Sequence, residues 1–108
     1  KRLQSLAAGE QVLMEAAQCP HPKYWYQRYR LFTRFNQGCK MDEEGWYSIT
    51  PEAMARHHAR RLARPGGVAL DAFCGVGGNA IQLAFTCGHV IAVDMDPERI
   101  ELAKHNAQ

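Results

Sequence analysis

The chain has 108 residues, room for one small domain and too few for two. With 46% hydrophobic and 22% charged residues it has the balance of a soluble globular protein, and no apolar run approaches the ~20 residues of a membrane-spanning helix. A net charge of +2 is too small to imply nucleic-acid binding from composition, and Lys1 to Leu6 lack the apolar core of a secretory signal.

Leu3, Leu6, Val12 and Leu13 among alanines predict a helix over about 3–17, weakened by Gly9 and ended by Cys19-Pro20-His21-Pro22. Lys23 to Phe35 is aromatic and basic, either helical or irregular, and Asn36-Gln37-Gly38 reads as a turn. Thr50-Pro51-Glu52 predicts a helix start, with Thr50 as the cap, Pro51 first and Glu52 near the positive end of the dipole. That helix runs to about Leu62 and stops before a turn at Pro65-Gly66-Gly67. A basic group, Arg56, Arg60, Arg61 and Arg64, lies along it.

Val68 to Ala72 reads as a buried strand, Gly75 to Gly78 as a glycine loop and Asn79 to Cys87 as a helix. His89 to Val93 is a second buried strand, and Asp96-Pro97-Glu98 opens another helix. Strand, glycine loop, helix, strand, acid, helix is the first half of a doubly wound α/β sheet. Two strands bury neither face properly, so the expectation is a fragment of a longer protein.

The four cysteines, Cys19, Cys39, Cys74 and Cys87, are widely spaced. Cys19 and His21 have no second pair to complete four zinc ligands, so no metal is expected and the thiols read as reduced. Cys74 has no histidine placed to activate it and reads as a small buried side chain.

The glycine loop lets backbone approach a ligand closely, and Asp94 at the end of the second strand is placed to accept hydrogen bonds from ribose hydroxyls. Gly75-Val76-Gly77-Gly78-Asn79-Ala80 fits a dinucleotide pattern as well. Charge separates the two. A pyrophosphate would be repelled by Asp71, whereas S-adenosylmethionine brings an α-ammonium that Asp71 can bind. The segment Asp71 to Asn79 therefore reads as the methionine-end loop of an S-adenosylmethionine-dependent methyltransferase, with Gly75, Gly77 and Asn79 in the site. Asn79 either caps the following helix or touches the methionine carboxylate.

Three segments together, Lys23 to Phe35, Gly45 to Glu52 and Asp71 to Asn79, resemble the trimethylguanosine synthase family, from about Lys23 to the chain end. The resemblance implies a Rossmann-like class I methyltransferase domain, its first part over 65–108, preceded by a helical extension over 1–64. It implies the conversion of 7-methylguanosine caps of small nuclear, small nucleolar and telomerase RNAs to 2,2,7-trimethylguanosine. It also implies that Asp71 and Asp94 bind the two ends of the cofactor and that Phe32 and Thr50 lie in the extension closing over it. Lys23 would meet the cap phosphates, and the protein would reside in nucleus and cytoplasm. On the residues alone, Phe32 reads first as core, Thr50 as a helix cap and Lys23 as a solvated charge, and Trp25 and Trp46 read as core.

The family's cap-stacking tryptophan lies in a proline-proline-tryptophan motif after a later strand, which these residues do not reach. No catalytic base is named, and these 108 residues alone are expected to transfer little or no methyl. Other readings are a different RNA or DNA amino-methyltransferase, a nicotinamide-dependent oxidoreductase, and a non-enzymatic RNA-binding piece using Lys23 to Lys40.

Overall fold

The computed structural model describes residues 19–108; the helix expected over 3–17 lies outside them. Helices α1 (Pro22–Tyr26) and α2 (Arg28–Leu31) and a 3-10 turn (Phe35–Gln37) lead into α3 (Glu43–Ser48) and α4 (Glu52–Arg61). Strand β1 (Arg64–Ala72), α5 (Gly78–Leu83), β2 (Cys87–Val93) and α6 (Pro97–Asn106) follow.

The two strands pair in parallel, Val68 opposite His89 through Ala72 opposite Val93, joined by the α5 crossover. This is the expected first half of a doubly wound sheet. Its boundaries differ from the sequence expectation. Pro65-Gly66-Gly67 is no free turn but the irregular start of β1, because Arg64 N–H still donates to Thr86 O at 3.0 Å and the register shifts before Val68. Helix α5 ends at Leu83 rather than Cys87, since Phe85 and Thr86 N–H turn back to Gln82 and Leu83 carbonyls. Strand β2 accordingly begins at Cys87, two residues ahead of His89.

The core lies between the extension and the glycine loop. Leu31, Phe32, Phe35, Met41, Trp46 and Val76 are buried together, with Trp25, Ile49, Ile81 and Leu102 packed against them. Trp25 meets Phe35 edge-on at 5.8 Å, Phe35 lies 5.6 Å from Trp46, and the Arg28 guanidinium covers Trp25 at 4.3 Å. Offset and edge-on rings of this kind add to their area burial. Trp25 and Trp46 are thus structural, as expected. The segment splits at Gln27 into two short helices, and its Trp25 and Phe35 rings both meet Trp46.

Helix α3 was not expected, although its signal is local: Asp42 accepts from Gly45 N–H at 2.7 Å, and Glu43 and Glu44 occupy the first turn. Helix α4 brings Ala55 and Ala59, each 1% exposed, into the interior. It packs on α5, which covers one face of the sheet. On the other face Val68, Leu70, Ile91 and Val93 stand exposed. No helix among the described residues is long and apolar enough to cross a membrane.

Candidate functional site

Parallel pairing brings the carboxyl ends of both strands to one edge, the place where open α/β sheets bind ligands. Asp71 is the penultimate residue of β1 and Asp94 follows β2 directly. Between them the chain turns sharply. Phe73 has φ 64°, an unusual value for a residue with a side chain, and Cys74 N–H donates to Val93 O at 2.8 Å, extending the ladder past the strand end. Gly75 and Gly77 follow at φ 54° and 99°, in the left-handed region where glycine carries no Cβ penalty. A Cβ on Gly77 would press on Ala103 of α6 at 3.3 Å, whereas one on Gly75 would meet only open space. Gly77 thus serves packing, and Gly75 leaves a free approach to backbone.

The two acids are shifted in opposite directions. Asp94 accepts from Gly75 N–H and Asp96 N–H, each at 3.0 Å, one on each carboxylate oxygen. The Asp96 and Gly75 amides hold its carboxyl below the usual range. Asp71 is the reverse. Its Oδ2 is buried with no hydrogen-bond partner, and burial pushes its pKa up, only partly offset by the Ala80 N–H. An orphaned buried carboxylate oxygen is rare and costly, and calls for a donor. Burial, then Asp71 and Asp94, push the Cys74 thiol up as well. It is therefore no activated nucleophile.

Thr50 does not cap α4. That position falls to Pro51 with no side-chain bond, and the Thr50 hydroxyl instead accepts from Asn79 Nδ2 at 3.0 Å. Asn79 does not cap α5 either; Gly77 occupies the cap position. The Asn79 Oδ1 lies 3.4 Å from His58 Nδ1, so one amide ties the start of α5 to both ends of the segment 50–58. His58 was missed in the sequence because its partner is 21 residues away.

Phe32 is 7% exposed and sits in the same buried cluster as Val76 of the loop, so it backs the loop from within the core. Lys23 stands exposed on α1 over the Tyr24 ring at 5.0 Å; among the described residues no hydrogen bond or ion pair joins it to the loop. Two exposed apolar side chains flank the acids, Phe73, 88% exposed, two residues after Asp71, and Met95, 96% exposed, directly after Asp94; Met95 went unnoticed in the sequence.

The edge thus presents two carboxylates, one with an unpartnered oxygen, beside open glycine backbone. Such a set suits a ligand with a cationic group and hydroxyls, and disfavours a pyrophosphate.

The model of the RNA cap guanine-N2 methyltransferase family matches residues 66–108. A trimethylguanosine synthase from Schizosaccharomyces pombe is 40% identical over 107 residues, covering 92% of this chain and 44% of the relative. Another, from Saccharomyces cerevisiae, is 40% identical over 90 residues, 80% of this chain and 29% of its own length. An uncharacterized S-adenosylmethionine-dependent methyltransferase from Mycobacterium tuberculosis is 38% identical over 64 residues, 59% of this chain and 17% of the relative. The chain thus spans less than half the length of these relatives. The family matches the observed architecture: a partial Rossmann-like methyltransferase fold preceded by a helical extension.

Proposed function

We propose that these residues form the donor-binding half of an S-adenosylmethionine-dependent methyltransferase acting on the 2-amino group of 7-methylguanosine-capped RNA. The observation that carries the donor is the unpartnered Asp71 Oδ2 at the strand edge. The cofactor would fit this set, its α-ammonium supplying the donor that Asp71 lacks and its ribose hydroxyls finding Asp94, already held ionised. Met95 offers an apolar surface to the adenine, and Gly75 keeps the approach open. Asn79 and Thr50 hold the start of α5 against the extension, and Phe32 supports the loop through Val76. When bound, the cofactor supplies an electrophilic methyl group on sulfonium.

The acceptor rests on the family match and on two relatives named trimethylguanosine synthase, whose likeness continues into the aromatic extension. Lys23 would meet the cap phosphates as a compact charge. Residence in nucleus and cytoplasm belongs to this reading. The chain's own residues contribute by binding and orienting the donor, and much of the rate comes from holding the amine in line.

The test is to incubate the whole protein with S-adenosylmethionine and 7-methylguanosine-capped RNA, then analyse the released cap by mass spectrometry. A gain of two methyl groups on the guanine is expected. Methyl groups on another base would support a different amino-methyltransferase, and no transfer together with binding of NAD would support a nicotinamide enzyme.

A further inference from the structure

A cleft of about 630 Å³ opens beside α5. It is bounded by the 3-10 turn, α4, the end of α5 and the end of α6, and neither Asp71 nor Asp94 lines it. Arg34, Arg56 and Arg60 line it, together with Gln82 and with Glu52 as the acidic side chain of the lining. Arg34 and Arg60 have no carboxylate partner among the described residues. Arg56 meets Glu52 at a long 3.4 Å, with its own side chain 49% exposed and that of Glu52 12% exposed, so the guanidinium still faces solvent. Phe85, 77% exposed, lies at the same cleft.

Guanidinium groups match phosphate bidentately, and an exposed ring beside them offers a face to an unpaired base. An acidic peptide would use the charges but not the ring. Phe85 lies two residues past the end of α5, whose six residues span roughly 9 Å at 1.5 Å each from Gly78 at the glycine loop, close enough for one strand to reach both.

We propose that this cleft holds the single-stranded RNA that follows the cap, with phosphates on Arg34, Arg56 and Arg60 and a base on Phe85. This rests on the capped-RNA reading of the active site. The cleft adds affinity for the RNA body and leaves recognition of the cap itself unchanged.

The test compares two acceptors in the whole protein, a cap dinucleotide and a short capped single-stranded oligoribonucleotide. Arg60→Glu is expected to raise KM for the oligoribonucleotide by about tenfold or more, the scale of one charge-assisted hydrogen bond. It leaves kcat and the KM for the dinucleotide unchanged. The salt dependence of oligoribonucleotide binding should flatten by roughly 0.7 in log-log slope for each phosphate that no longer meets a guanidinium. Phe85→Ala raises the same KM without altering the salt slope, and Arg60→Lys keeps part of the affinity. Unchanged KM for the oligoribonucleotide in both Arg60→Glu and Phe85→Ala would overturn the proposal, as would equal losses on both acceptors. If the wild-type protein methylates neither acceptor, the function reading fails and this one with it; loss confined to the variants' oligoribonucleotide KM supports both.

Discussion

Asp71 and Asp94 stand at neighbouring strand ends and are shifted in opposite directions by their surroundings. Two backbone amides keep Asp94 ionised, so its contribution to stability is present above the ordinary carboxylate range and is lost as pH falls through its lowered value. Burial raises Asp71, so the folded chain retains that proton to higher pH than the unfolded chain. Stability without ligand therefore falls as pH rises from the ordinary carboxylate range through the raised Asp71 value. A bound ammonium needs Asp71 ionised, so cofactor affinity runs the other way and rises with pH across the same interval. Asp71→Asn separates the two demands. It keeps an acceptor for Ala80 N–H but removes the buried charge, so the ligand-free melting temperature is expected to stay level or rise. Affinity for S-adenosylhomocysteine should fall by roughly tenfold or more, at about 1.5–3 kcal/mol for a charge-assisted bond. Melting curves and calorimetry on the same variant check both signs. Asn79→Ala loses the bond to Thr50 and is expected to cost about 1 kcal/mol in denaturant unfolding.

Among the elements, α6 shows how the extension is fastened to the sheet. Arg99 binds Asp42 at 2.9 Å and also pairs with Glu44, while Asp42 caps α3. Further along, Asn106 exchanges hydrogen bonds with the Lys40 backbone and donates to Val76 O at 2.9 Å. Arg99→Ala is expected to cost roughly 1–2 kcal/mol, most of it from the Asp42 bond, because the Glu44 side chain is 64% exposed. Its readout is chemical denaturation, with faster proteolysis between α3 and α4 than in wild type. What the sequence made legible here was local. The strands announced themselves as apolar runs and the α6 start as Asp96-Pro97-Glu98, with Asp96 accepting from Glu98 N–H as expected. Thr50 looked like a cap by the same local rule, but its hydroxyl is taken by Asn79, 29 residues on. Long-range partners leave no spacing signal in a single sequence. Asp42-Glu43-Glu44 carries a local helix-start signal, but its glycine and aromatic neighbours obscure a six-residue helix.

At the scale of the molecule, the site was legible because strand ends, glycines and acids lie within 24 residues, from Asp71 to Asp94. The cleft was not, because its arginines and Phe85 are gathered from separate elements by the packing of α4 on α5. The aromatic segment gave its composition but not its role: Trp25, Phe32 and Phe35 went to the core, leaving Lys23 and Tyr26 at the surface. Helices cover one face of the sheet, and a parallel sheet needs both covered. The 108-residue chain by itself is expected to bind an apolar dye through Val68, Leu70, Ile91 and Val93, each 46–64% exposed. A sharp melt with no dye binding would show that this face is closed in solution.

The account depends most on a cationic donor meeting Asp71. Calorimetric titration of the whole protein with S-adenosylhomocysteine and, separately, with NAD tests this directly. The account predicts saturable binding of S-adenosylhomocysteine that weakens in Asp71→Asn, and no heat from NAD. Binding of NAD that strengthens in Asp71→Asn, with none of S-adenosylhomocysteine, would contradict it.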